Sequence, residues 1–140
     1  MGKEKVLFVC VHNSARSQMA EELLRKLAGD RFEVDSAGLE PGQLNPVVIE
    51  VLKEEGIDIT GKQTKAVFDL FEKGNSYSYV ITVCDESNAE RCPVFSGARR
   101  RLHWSFIDPS KFNGTPQEKL KKTRAVKEEI KRKIEWWIRS

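Results

Sequence analysis

Cys10, Val11, His12, Asn13, Ser14, Ala15, Arg16 and Ser17 follow the apolar run 6–9 and lead straight into a helical pattern. A strand that ends in a tight turn before a helix can aim the turn's backbone N–H groups, with the helix N-terminus, at one anion. Cys10 would sit at the floor of that nest, where the same donors favour its thiolate. Arg16 adds a planar fork whose paired N–H groups match a tetrahedral oxyanion, which Lys cannot do. Asn13 tolerates the left-handed backbone a tight loop needs, and Ser17 can donate its hydroxyl hydrogen to the Cys10 sulfur. The chemistry this spacing suits is attack by sulfur on a bound oxyanion.

Two other places carry reactive groups. Cys84 and Cys92 enclose seven residues, more than a Cys-x-x-Cys redox pair, and in a regular helix they would stand too far apart to bond. A disulfide between them requires rearrangement, and the polar, acidic segment before Pro93 has little buried surface to lose by unwinding. The segment fits a redox switch or two unrelated thiols; a metal site using His12 or His103 has no close ligand pair to support it. Asp108-Pro109 reads either as a turn or as a carboxyl above the anion that protonates a departing oxygen. Trp104, Phe106 and Ile107 would supply a partly apolar setting for that proton donor.

The elements that position these groups follow from periodicity. Met19, Ala20, Leu23, Leu24 and Leu27 form one helical face that ends near Gly29. Residues 32–36 alternate as a second strand closed by Ala37 and Gly38. Asn45 and Pro46 start a helix as cap and first residue, with Val47, Val48, Val51 and Leu52 as its buried stripe and Gly56 as its stop. A short helix is expected around residues 66–71, a third strand over 79–83 and a fourth over 101–106. Thr115, Pro116 and Glu118 form a capping box for the last helix, whose apolar face is Leu120, Val126, Ile130, Ile134, Trp137 and Ile138. Trp136 and Trp137 cannot both point inward.

Strand and helix alternating in this way predict an α/β fold, a doubly wound parallel four-stranded sheet with helices on both faces, over residues 1–140 as one domain. Loops at the carboxyl ends of such strands line one crevice, so Cys10, Cys84 and Asp108 are expected on one rim. A length of 140 residues, 39% hydrophobic and 32% charged, suits one soluble domain with a real core. Apolar runs of only four to six residues predict neither a signal peptide nor a membrane span, and the cytoplasm is the expected compartment. Three cysteines there argue for reactive or transient use over a static disulfide framework. The net charge of +3 is mild, and without interleaved aromatics it does not point to nucleic acid. A monomer is the default expectation.

Residues 10–21 together with Asp35, Ser36, Ala37, Gly38, Asn45-Pro46, residues 56–59 and Asp108-Pro109 resemble the low-molecular-weight tyrosine phosphatase fold, and more closely its thioredoxin-coupled arsenate reductases. Phosphatases of this fold typically carry a second Cys at the position of Ala15 and an aromatic residue soon after Asp-Pro, where this chain has Ser110 and Lys111. The arsenate reductases carry two further cysteines after the third strand, as Cys84 and Cys92 do here, though this spacing is one residue longer and Gly is common at the position of His12. The resemblance implies that Val11, His12, Asn13, Ser14, Ala15, Arg16 and Ser17 bind arsenate, that Cys10 attacks arsenic, and that Asp108 protonates the leaving oxygen. It further implies a transient Cys10–Cys84 disulfide, then a Cys84–Cys92 disulfide reduced by external thioredoxin, with no bound cofactor and no metal. Relatives can bind a structural cation or oxyanion near Asn13, Glu21 and Ser36; Lys65 and Ala66 stand here where an acidic ligand is expected. The rival reading is a tyrosine phosphatase using Cys10, Arg16 and Asp108.

Overall fold

A computed structural model describes residues 2–84, 86–95 and 97–140. Its centre is β1 (Glu4–Cys10), whose Val6, Leu7, Phe8 and Val9 are wholly buried. A strand covered on both faces must be apolar at every position, and that is why this run does not alternate. β2 (Phe32–Gly38) and β3 (Tyr79–Thr82) pair with β1 in parallel, and β4 (Arg100–His103) pairs with β3. The four strands lie in the order β2-β1-β3-β4. Parallel neighbours need crossovers, supplied by α1 (Arg16–Ala28), α2 (Pro46–Glu54), α3 (Val67–Glu72) and α4 (Glu86–Ala89), with α5 (Pro116–Ile138) closing the chain.

The two faces of the sheet are unequal. Val6, Phe8 and Cys10 point into a large core with Met19, Leu23 and Leu24 of α1, Val48 and Leu52 of α2, and Val126, Ile130 and Ile134 of α5. Leu7 and Val9 point the other way, into a smaller core with Val67, Leu70, Tyr77, Val80, Cys92 and Phe95. The doubly wound expectation therefore holds. Val47 and Leu27, placed by periodicity in buried stripes, are half-buried at the margins of theirs.

Helix starts follow their local signals. The Asn45 side chain accepts from the Val47 N–H ahead of Pro46, and Thr115 and Glu118 close both hydrogen bonds of the capping box. Trp137 stacks on Phe32 at 5.3 Å and meets Tyr79 and Trp104 edge-on, while Trp136 is 55% exposed, so only one of the pair faces inward.

Two expectations need correction. β4 ends at His103 instead of reaching Phe106, because β3 ends at Thr82 and the last backbone bond across the pair is Trp104 N–H to the Thr82 carbonyl. Beyond it the strand has no partner, and Trp104 turns into the large core against Phe8. The segment after Cys84 also has more to lose than its polar composition suggests, since Cys92 and Phe95 are buried and Phe95 packs edge-on against Phe71 and Tyr77. Asp85 and Ser96, which flank this stretch, lie outside the described residues. Among the described residues no helix is long and apolar enough to cross a membrane.

One carboxylate locks the helical layer. Glu55, just beyond α2, accepts from Lys127 of α5 at 2.8 Å and from Lys26 of α1 at 3.2 Å, with Lys131 at 3.5 Å. The hydrogen bond from Lys127 is the main reason that its pKa falls from 4.5 to about 2; burial opposes, and Lys26 and Lys131 assist. A carboxyl depressed in the folded state stabilises fully above its unfolded pKa and stops doing so as pH falls through the folded one. Glu55→Gln is expected to lower unfolding free energy at pH 7 by about 1 kcal/mol. In urea titrations that difference should close as the pH falls from 4.5 towards 2; a difference constant across that range would refute the assignment.

Candidate active site

The loop of residues 11–15 is shaped by where its carbonyls go. Cys10 O accepts from Leu39 N at 3.0 Å, Val11 O from Glu40 N at 2.7 Å, His12 O from Gly42 N at 3.0 Å and Ser14 O from Asn45 N at 3.0 Å. Asn13 O accepts from the Gln18 side chain at 3.0 Å, and Ala15 O takes the first helical bond from Met19 N at 3.0 Å. Within a peptide plane the C=O and the following N–H point in opposite directions. Anchoring the carbonyls to residues 39–45 therefore turns the loop N–H groups towards the opposite side. The Asn13 N–H shows the direction, donating to Cys10 Sγ at 3.2 Å. With the N-terminus of α1 beside them and the buried Cys10 sulfur at their base, amides so arranged can hold an anion.

Asn13 has a positive φ of 55°, the left-handed backbone its residue type was expected to accept. Its side chain holds that conformation from behind. The amide nitrogen donates to Ser17 Oγ at 2.8 Å and to Ser36 Oγ at 2.9 Å, and the amide oxygen accepts from Lys65 N at 3.0 Å. Ser17 Oγ lies 2.8 Å from Cys10 Sγ. With an Asn13 hydrogen already directed at that oxygen, the hydroxyl hydrogen can point at the sulfur.

Ser36 donates in turn to Glu21 Oε1 at 2.5 Å. Glu21 is 2% exposed and is flanked by Lys62 at 2.7 Å and Arg25 at 2.5 Å. Burial alone would raise its pKa, but the charge of Lys62 and hydrogen bonds from Lys62, Ser36 and Arg25 outweigh burial and lower it. The ammonium of Lys65 bonds to Asp35. Protein cations thus surround Glu21 where relatives were expected to hold an added one, and no metal-ligand cluster occurs among the described residues.

Arg16 is 3% exposed, with Nη1 donating to the Phe106 carbonyl at 3.2 Å and Nη2 lying 3.5 Å from Asp108 Oδ2. The 104–107 stretch, freed from the sheet, carries Asp108 back to Arg16. The apolar setting expected around Asp108 is only partial: Ile107 is 62% exposed and Trp104 packs into the core. Instead Asp108 Oδ1 caps the next turn, accepting from Ser110 N at 3.0 Å and Ser110 Oγ at 2.8 Å.

Cys84 stands two residues past β3, whose Thr82 pairs with Val9, and is buried in the same large core as Cys10. Cys92 is buried in the smaller core, where burial raises its pKa to about 11 against the opposing charge of Arg101. None of the three cysteines is in a disulfide. His12 is exposed, with its Nδ1 at 2.8 Å from the Glu40 carbonyl. The arrangement can bind a tetrahedral oxyanion, attack it with sulfur, and present a carboxyl to a leaving oxygen.

Gly38 and Gln18 were not singled out by their chemistry in the sequence. Gly38 pairs with Cys10 across the sheet, and a Cβ there would meet Asn13 N at 2.7 Å, His12 C at 2.8 Å and Val11 O at 2.8 Å. Backbone cannot yield as a flexible side chain can. Gly38→Ala is expected to cost about 1–3 kcal/mol of stability and to weaken phosphate binding, measured by calorimetry, by tenfold or more (~1.4 kcal/mol). Unchanged affinity would show that the loop does not depend on this close approach.

Residues 5–140 match the model of the low molecular weight phosphotyrosine protein phosphatase family. The arsenate reductase of Halalkalibacterium halodurans is 40% identical over 136 residues, covering 96% of this chain and 94% of that protein. A solved arsenate reductase in a phosphate-binding state superposes with a TM-score of 0.75 at 30% identity, covering 96% of both chains. The thioredoxin-dependent arsenate reductase of Corynebacterium glutamicum aligns with a TM-score of 0.63 at 30% identity over 97% of this chain and 63% of that one. With a cysteine at the end of the central strand, an amide-lined loop and a buried arginine behind it, the chain belongs to the low-molecular-weight phosphotyrosine protein phosphatase family.

Proposed function

We propose that this protein is an arsenate reductase that works by a three-cysteine relay and is regenerated by thioredoxin. The observation that carries the reading is a buried cysteine whose sulfur accepts from the Asn13 N–H at the base of the loop, with a second buried thiol, just past the neighbouring strand, in the same core. A phosphatase has no use for that second thiol. The kinship with arsenate reductases supports the same choice.

Arsenate, a tetrahedral oxyanion like phosphate, is held by the N–H groups of residues 11–17 and by the Arg16 fork. Cys10 thiolate attacks arsenic, and an oxygen leaves as water with a proton from Asp108. Arg16 and Asp108, 3.5 Å apart, then separate in role, the guanidinium to the anion and the carboxyl to the leaving oxygen. Cys84 thiolate next attacks Cys10 Sγ. The S–As bond breaks with its electron pair going to arsenic, so arsenite departs and a Cys10–Cys84 disulfide remains. Cys92 attacks Cys84, frees Cys10 as thiolate and forms Cys84–Cys92, which the dithiol of thioredoxin reduces. Arsenate gains two electrons and thioredoxin supplies them. Arsenic detoxification in the cytoplasm is the role this chemistry suits.

The test is arsenate-dependent NADPH consumption with thioredoxin and thioredoxin reductase. Cys10→Ser, Cys84→Ser and Cys92→Ser should each abolish multiple turnover, with Cys84→Ser stopping at the Cys10 adduct. Hydrolysis of an aryl phosphate that needs Cys10 alone, without arsenate turnover, would make the protein a phosphatase.

Asp108→Asn should lower the rate of the first step by about 10²–10⁴-fold while leaving phosphate affinity within about threefold. Rapid-quench detection of the arsenylated enzyme separates the two effects. An undiminished first step would remove Asp108 from the mechanism.

A further inference from the structure

Cys92 is held by a residue that no part of the oxyanion site uses. Arg101 lies on β4, the edge strand, and its Nη2 donates to the carbonyls of Ala89 and Cys92, each at 2.8 Å. Those carbonyls end α4 and the turn after it, and the Cys92 N–H closes back on Ala89 O at 3.3 Å. The last carbonyls of a helix lack intrahelical partners, and a cation there satisfies them while opposing the helix dipole. A helix of four residues cannot hold itself in water.

We propose that Arg101 is a positioning residue for Cys92: a latch on the edge strand that pins the turn before Cys92 to the sheet and keeps this thiol buried until the segment opens. The proposal deepens the relay described above and rests on that relay for its purpose. Cys84 packs with Cys10 in the large core and Cys92 in the smaller one, so in the relay Cys92 leaves its packing to bond Cys84. The carbonyl of Cys92 is one of the two the guanidinium grips, so the latch must release as the thiol leaves. The same cation stands close enough to Cys92 to oppose the effect of burial on its ionisation.

Other ties on the segment are weaker. Arg91 bonds to Glu40 at 2.6 Å, but the Glu40 side chain is 58% exposed and such a pair contributes little. Among the described residues the remaining hold is apolar, through Cys92 itself and Phe95. Arg101 is thus the one charged group that grips the main chain of the turn from another element among the described residues, and a substitution there should loosen Cys92 while leaving the oxyanion loop intact.

The experiment is peptide-resolved labelling of the reduced, full-length protein with N-ethylmaleimide, following Cys10, Cys84 and Cys92 separately in wild type, Arg101→Met, Arg101→Lys and Arg91→Met. Arg101→Met should speed labelling of Cys92 by about tenfold or more, with Cys10 within about twofold of wild type and Arg101→Lys between the two. Arg91→Met should change Cys92 little. Equal Cys92 labelling in wild type and Arg101→Met overturns the latch. So does a parallel rise at all three thiols, which reports general loosening, or an equal effect of Arg91→Met. Failure of the relay reads out elsewhere: if Cys92→Ser still turns over arsenate with thioredoxin, the relay falls while the labelling ratios continue to report on Arg101.

Discussion

The anchoring of the carbonyls between Cys10 and Ala15 is the constraint from which the rest of the site follows. A loop of five residues between strand and helix has its peptide groups free to face either way, and their dipoles would cancel if they alternated. Tying four carbonyls to the backbone of residues 39–45, one to the Gln18 side chain and one into α1 fixes them all on one side. The N–H groups are then left to the other side, as the Asn13 N–H is to the Cys10 sulfur, without any charged side chain in the loop itself. This organisation has two local costs. Asn13 must take a left-handed backbone, and position 38 must lack a side chain so that β2 can press against the loop.

Behind the loop lies a polar layer that makes those costs tolerable. Asn13 is wholly buried, and its amide reaches Ser17, Ser36 and Lys65 at once. A buried amide with its hydrogen bonds made rigidifies its surroundings; one left half-satisfied destabilises them. Ser36 passes the chain of hydrogen bonds to Glu21, whose charge is matched by Lys62 and Arg25. A buried carboxylate without such partners would lose its charge or unfold the site. The hydrogen-bond order sets a direction: Asn13 donates to Ser17, and Ser17 can donate to the sulfur.

What the sequence made legible was what short-range rules determine. The strand-turn-helix around Cys10, the Asn45 and Thr115 caps, the buried run 6–9 and the choice of one inward Trp from Trp136 and Trp137 are each decided within a few residues. What it hid depends on contacts distant in sequence. The length of β4 depends on where β3 stops pairing, and periodicity within residues 101–106 carries no record of that. Arg101 sits in the basic run 99–101, whose composition carries no record of its partners, nine and twelve residues earlier. Gly38 reads as the end of a strand, and only the register with Cys10 shows that the loop needs it.

The division of the cysteines between two cores bears on how a relay can coexist with a stable fold. Cys10 and Cys84 belong to the large core, which α1, α2 and α5 cover and which Glu55 helps to lock. A thiol that had to leave that core would take much of the stability of the protein with it. Cys92 belongs to the smaller core, held by a few apolar contacts and by one guanidinium on two carbonyls. Its departure costs packing in the smaller core around Phe95 but none in the large core, so opening the segment need not disturb the oxyanion loop. On the proposed relay, the sheet separates the core that holds Cys10 and Cys84 from the smaller one that Cys92 would leave.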